Sequence, residues 1–198
     1  YTYQRGTGEY SSMENAGFDT DDFLTYNIGA GTSLKEGLAS MYSYKESNIY
    51  VSFFGRVMYN YDEKYLMSVS LRCAGSSRFG KDNKWGWFPA VSLGWRLNKE
   101  TWLKDVKCLT ELKLRAGFGV TGNQDFSNYK SLMMMGVAGK FYYNGAWVNT
   151  YAPVSNANAN LAWERKNEFN VGVDFAFFKN LFRGNIDYYY RLTTNLLY

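Results

Sequence analysis

Glu164 and Glu168 stand four residues apart with Lys166 between them. A carboxylate pair can drive glycoside hydrolysis when its members lie about 5–9.5 Å apart. On an extended chain, positions i and i+4 share a face at a separation of roughly 13 Å. The pair therefore reads as charges on a wetted face, without a catalytic role. Gly117-Phe118-Gly119-Val120-Thr121-Gly122 matches G-x-G-x-x-G. A dinucleotide site needs a strand before such glycines and a helix after them. Here the glycines fall inside a strand pattern and a polar loop follows, so they read as small residues on a crowded inner face. Asp19, Asp21 and Asp22 form an acidic patch without the D-x-[DN]-x-[DN]-G spacing of a calcium loop. They read as a solvated surface. Cys73 and Cys108 fall at opposite ends of the strand pattern, beyond the Cα separation of about 7 Å that a disulfide tolerates, and are expected as free thiols. Histidine is absent, which removes the commonest general base and metal ligand. No catalytic residue, metal or cofactor is expected, and the chain is not expected to be an enzyme.

The candidates for binding are aromatic. Phe141, Tyr142, Tyr143, Trp147 and Tyr151 crowd a loop-like stretch. Sugar rings stack their C–H faces on such side chains. The same rings would also meet a protein partner or pack the loop on itself. They are the expected substrate or partner contacts.

What must position these residues is a series of strands. From residue 51 the odd positions read Val51, Phe53, Gly55, Val57, Tyr59, Tyr61, and the even ones Ser52, Phe54, Arg56, Met58, Asn60. After the polar turn at 62–64 the odd set is Tyr65, Met67, Val69, Leu71, Cys73. A third run gives Trp85, Trp87, Pro89, Val91, Leu93, Trp95, Leu97. Three consecutive segments thus alternate with period two. In a soluble sandwich the apolar face would turn inward; in a membrane barrel it would turn to lipid. Alternation alone does not choose between them. Tyr and Trp at the row ends with aliphatics between them suit an interfacial girdle around a hydrocarbon band. Strand length agrees, since a tilted membrane strand needs about 9–11 residues against about 5–6 in typical soluble strands.

Composition is compatible. Of 198 residues, 19% are aromatic, which fits interface belts. Mean hydropathy is −0.40, and no run approaches the ~18–20 apolar residues of a membrane helix. A net charge of +4 with interspersed signs gives no basic stripe for nucleic acid, and no nucleic-acid partner is expected. No leader segment is visible and the chain stops inside an apparent strand, so it reads as a piece of a longer protein.

The periodicity predicts a loop-like region over residues 1–40 and strands over 41–61, 65–73, 85–98, 111–121, 163–177 and 182–192. A long loop is expected over 122–161. On the fourth strand Leu112, Leu114, Ala116, Phe118 and Val120 share the apolar face. Pro89 predicts a bulge or a strand end, because proline cannot complete a ladder. Connections alternate: 62–64, 99–110 and 178–181 are short, while 1–40, 74–84 and 122–161 are long. Short periplasmic turns and long extracellular loops mark outer-membrane barrels. The expected fold is therefore all-β, an antiparallel transmembrane β-barrel represented by about six strands, with membrane lipid around it.

The stretch FFGRVMYNYDEKYLMSVSLRCAGSSRFGKDNKWGWFPAVSLGWRL resembles the SusC/RagA-like family of TonB-linked outer-membrane transporters of the Bacteroidetes. LKLRAGFGVTGNQ (112–124), NLAWERKNEFNVGVDFAFFKNLFRGNIDYYYR (160–191) and the trailing TTNLL extend the resemblance over most of residues 50–198. Cys73 stands where the family often has Arg or Lys, and Ala74 where it often has Asp. The resemblance implies a location in the Gram-negative outer membrane, with many passes, and a barrel of roughly 22 strands filled by a plug domain. Residues 1–198 are expected to be part of that barrel domain, with residues 1–40 mostly an extracellular loop, 41–198 strands and loops, and the plug outside this chain. It also implies a SusD-like surface lipoprotein, the TonB complex acting through the missing N-terminal region, and uptake of oligosaccharides or peptides. Two rival readings remain beside it, a passive outer-membrane porin and a soluble β-sandwich carbohydrate-binding module.

Overall fold

The structure, a computed structural model, describes residues 1–196, with side chains throughout that range except at residues 23–25. Nine strands are seen among the described residues. They are β1 (Thr2–Glu14), β2 (Ser40–Tyr61), β3 (Tyr65–Ser76), β4 (Trp85–Arg96), β5 (Leu109–Asn123), β6 (Met134–Tyr143), β7 (Ala146–Ser155), β8 (Glu164–Phe177) and β9 (Phe182–Thr194). Seven form one sheet in the order β1-β2-β3-β4-β5-β8-β9, and β6 and β7 form a hairpin of their own. The chain divides into two compact units, residues 5–48 and the remainder.

In the larger unit the ladders from β2 to β9 are antiparallel, and register lines up the side chains into rows. One row is Val57-Val69-Val91-Phe118-Phe169-Tyr190, and the next is Tyr59-Met67-Leu93-Ala116-Val171-Tyr188. On the opposite face run Met58-Ser68-Ser92-Gly117-Asn170-Tyr189 and Asn60-Leu66-Gly94-Arg115-Gly172-Asp187. A one-residue slip in any ladder would mix these rows, so the period-two pattern and the pairing specify each other.

The apolar rows are not covered by a second sheet. Val57 keeps 67% of its surface exposed, Leu93 52% and Phe169 46%. The buried apolar side chains among the described residues are Ala74, Phe79, Phe88, Leu97, Val120, Trp163 and Ala176. A soluble sandwich would bury its inner face against a partner sheet about 10 Å away. This sheet does not.

The tight turns are built from left-handed residues. Asp62 and Glu63 both have φ of 51°, and the Lys64 amide closes the turn on the Tyr61 carbonyl at 2.9 Å. At the other short connection Phe178, Lys179 and Asn180 have φ of 52°, 55° and 71°. There the Phe178 amide donates to the Cys108 carbonyl at 2.8 Å and the Lys179 amide to Thr110 Oγ1 at 3.0 Å.

Three elements differ from expectation. The first is β1, in a region expected to be mostly loop. Its residues lack an apolar period, so its strand state rests on ladder bonds and cross-strand pairs: within the smaller unit Tyr10 stacks on Tyr44 at 5.4 Å and Ser40 Oγ donates to Glu14 at 3.2 Å. The rest of that unit includes a 3-10 stretch, Asp21–Ala30, capped by Thr20 Oγ1, which accepts from the Asp22 amide. Asp21 and Asp22 lie in its first turn, where the free amides favour negative charge. The second and third are β6 and β7, inside the expected 122–161 loop. Asn144 (φ 48°) and Gly145 (φ 83°) form the two-residue connection of this hairpin, and Asn-Gly is the preferred pair for such a turn. Pro89 is neither at a bulge nor at a strand end, but inside β4. It pairs with Leu71 without a register shift, while the β4–β5 ladder ends at Ala90, so the missing N–H falls where β5 has left β4.

Candidate functional site

In the larger unit the sheet has two unlike faces and two unlike ends. The polar face is organised by ion pairs across β5, β8 and β9. Arg115 donates two hydrogen bonds to Asp174, at 2.9 and 2.8 Å, and reaches Asp187 at 2.9 Å. Asn185 donates to Asp187 at 2.7 Å, and Lys113 lies 3.8 Å from Asp174. A planar guanidinium that bridges two carboxylates fixes three strands in one register. Gly172 leaves the room: a Cβ there would stand 2.2 Å from Asp187 Oδ1 and 2.9 Å from Arg115 Nη2. Farther along the face, Arg191 pairs with Glu168, and Lys166 with Glu164 at 3.4 Å. The two glutamates singled out by their spacing are therefore each held by a cation. The Gly117–Gly122 motif lies within β5, with no helix after it. Cys73 is half-buried and Cys108 exposed, both as free thiols.

At the short-turn end, aromatic rings run across the strand ends. Tyr59 stacks with Tyr61, Tyr61 packs on Tyr65 at 6.3 Å, and Tyr65 stacks with Trp95 at 6.1 Å. Glu100 Oε1 accepts from both Trp95 Nε1 and Tyr65 Oη, each at 2.9 Å. Those two donors hold the Glu100 carboxyl below the usual carboxylate range, the Trp95 N–H being the larger cause. Glu63 is likewise lowered, first by the hydrogen bond from Lys99.

At the long-loop end lies the hydrophobic core. Phe79, buried to 1% exposure, packs on Trp163 at 4.4 Å and on Phe126 at 5.2 Å, and Phe88 meets Trp163 edge-on at 5.3 Å. Val120 joins this cluster and is buried, although the alternation placed it with the exposed row of β5. The loop after β3 is tied down rather than free. Gly80 N donates to the Leu161 carbonyl at 3.1 Å, Trp163 Nε1 to the Lys84 carbonyl at 3.1 Å, and Arg78 to Asn128 Oδ1 and the Gln124 carbonyl at 2.9 and 3.1 Å.

All five aromatic residues expected as contacts sit on the β6–β7 hairpin and are exposed. They do not form one patch. Tyr142 faces Trp147 across the hairpin with rings 5.3 Å apart, and alternation along β7 puts Tyr151 on that same side. Phe141 and Tyr143 stack at 6.4 Å on the other side. Sequence alone missed the Arg115–Asp174–Asp187 bridge, the Glu100 acceptor and the Phe79–Phe88–Trp163 cluster. Only the bridge left a signal, as opposite charges on inward positions of β5, β8 and β9.

The profile of the TonB dependent receptor-like, beta-barrel family matches residues 1–198. The chain belongs to that family. Among relatives, it is 40% identical over 158 residues to the TonB-dependent receptor SusC of Bacteroides thetaiotaomicron, covering 78% of this chain and 16% of that one. It is 35% identical over 199 residues to the TonB-dependent receptor P39 of Formosa agariphila, covering 100% of this chain and 18% of that one. The fold superposes on the structure of the RagAB peptide transporter with a TM-score of 0.82 and 25% identity, over 96% of this chain and 20% of that chain. The chain thus spans under a fifth of the length of these curated relatives. It is part of an outer-membrane receptor barrel of SusC/RagA type, and not an enzyme. In such a barrel the uncovered apolar rows face lipid and the ion-paired face lines the interior, which removes the sandwich reading.

Proposed function

We propose that this chain forms part of the wall of a TonB-coupled importer that takes up oligosaccharides or peptides together with a SusD-like surface lipoprotein. The observation that carries the reading is the identity of 40% to SusC, a TonB-dependent receptor, over 78% of the chain. In this reading the wall is passive. It satisfies its backbone polar groups by closure, presents lipid with an apolar belt and lines a wet passage with paired charge. Energy enters through the TonB complex acting on a plug domain outside this chain. The long connections, residues 15–39 between β1 and β2 among them, face the outside, and the short turns face the periplasm. Phe141, Tyr142, Tyr143, Trp147 and Tyr151 contact substrate or the lipoprotein from the exposed hairpin.

The test is uptake by cells of the source organism. Deletion of the receptor and disruption of TonB are each expected to abolish accumulation of one class of oligosaccharide or peptide. Uptake that survives loss of TonB would make the barrel a passive porin instead.

A further inference from the structure

The inner face is electrically lopsided. Over residues 52–60 of β2, and over the even positions of β3 and β4, that face carries Arg56, Arg72 and Arg96 and no carboxylate. Its acids lie on the other half: Glu111 on β5, and Asp174, Asp187, Glu164 and Glu168 on β8 and β9, the last four paired with Lys113, Arg115, Lys166 and Arg191. Among the described residues Arg72 bonds only hydroxyls, Tyr50 Oη at 2.6 Å and Ser52 Oγ at 3.5 Å. Arg56 lies over the Phe54 ring, 5.3 Å from its centroid. Register puts Phe54 directly opposite Arg72, with Arg56 on the adjacent diagonal, roughly 7–8 Å away between backbones. Phe54 is exposed although it lies on the polar face. Beyond Arg56 its row continues as Ser70, Ala90 and Gly119, so small side chains leave an open floor beside the two guanidiniums.

Two guanidiniums held in place by hydroxyls and rings, with no ion pair to a carboxylate among the described residues, and bordered by an exposed ring and a shallow floor, match a carboxylate. The height of the patch bears on where that carboxylate comes from. Arg72 pairs with Phe88, one residue from the row Phe53-Cys73-Trp87 near the long-loop end. On the import reading above, on which this inference rests, that end opens to the outside. We infer that Arg56 and Arg72, with Phe54, form a subsite for the carboxylate of an imported acidic solute, a hexuronate unit or an acidic peptide side chain.

The experiment is calorimetric titration of the intact receptor with trigalacturonate, with triglutamate and with neutral maltotriose. At least one acidic probe is expected to bind, more weakly as salt is added, and R56Q/R72Q is expected to weaken it about tenfold or more. Which acidic probe binds identifies the source of the carboxylate. R56K/R72K, which keeps the charge, is expected to fall between the two and guards against misfolding as the cause. Unchanged affinity in R56Q/R72Q, or no binding of either acidic probe, overturns the inference. So does a loss of thermal stability of the probe-free receptor in R56Q/R72Q with probe affinity unchanged, which would assign the pair to a carboxylate of the receptor's own interior. TonB-dependent uptake is scored separately. Import of a neutral solute with both acidic probes inert sinks this subsite and leaves the import reading standing.

Discussion

Single side chains hold this wall through a few charged acceptors. Glu100 is the clearest, because one carboxylate oxygen receives both the Trp95 N–H and the Tyr65 O–H. Its folded-state pKa is lowered from an ordinary value of 4.5. The contribution of this contact is therefore complete above that ordinary value and disappears as pH falls through the lower folded value. The expected result is an acid transition below pH 4.5 in the fluorine-19 signal of labelled Trp95 that is missing in Glu100→Gln. Arg115 acts by geometry. Arg115→Ala leaves Asp174 and Asp187 on β8 and β9 without their shared donor. The groups keep about 30% side-chain exposure, so water softens the loss, and the expected destabilisation is about 1–2 kcal/mol. Chemical unfolding of the intact receptor in detergent measures it; no change would mean that the bridge is replaced by solvent.

Among elements, the long connections are where local chemistry decides structure. The β6–β7 hairpin turns at Asn144-Gly145, and Gly145 has φ of 83°. Gly145→Ala places a side chain where L-residues are strained, and is expected to loosen the hairpin by about 1 kcal/mol. Faster hydrogen exchange confined to β6 and β7 is the sign to look for. The loop after β3 depends on the absence of a side chain in another way. A Cβ at Gly80 would lie 1.9 Å from the Ala159 carbonyl oxygen, backbone that cannot swing aside, and one at Gly122 would lie 2.3 Å from the Phe88 ring. Gly122→Ala is expected to cost about 1–3 kcal/mol by overpacking. Gly80→Ala is expected to detach the loop, seen as new protease sites over residues 77–84 and 158–163. Resistance there equal to that of the parent would show that the aromatic cluster holds without this close approach.

For the whole receptor, membership in an outer-membrane barrel family gives the two faces opposite tolerances. Val69 lies in the row Val57-Val69-Val91 and Ser68, its neighbour, in the row Met58-Ser68-Ser92. Val69→Arg puts a charge toward lipid near mid-height and is expected to destabilise the barrel by about 2–4 kcal/mol. Ser68→Arg turns the same group into the wet interior and is expected to be near neutral. Equilibrium unfolding of the two variants of the intact receptor in lipid separates them, and equal effects would mean that the apolar rows do not meet hydrocarbon.

Much of this was legible in the chain itself. Period two over residues 51–61, 65–73 and 85–97 determined strands, their turns and the two faces, because alternation is a property of the extended backbone and needs no partner to be read. Asn144-Gly145 is equally local, since it is a preferred two-residue turn, but the aromatic residues around it do not alternate clearly enough to mark β6 and β7 as strands. The remainder depended on contacts between segments distant in sequence. Arg115, Asp174 and Asp187 meet only once β5, β8 and β9 are in register. Phe79, Phe88 and Trp163 become a core only where two long loops converge. β1 is a strand because backbone groups find a ladder, a property its own side chains do not announce. Most of all, alternation says that one face is apolar and is silent on what covers it. The sheet leaves its apolar rows without a second sheet over them, and membership in an outer-membrane barrel family assigns that face to lipid.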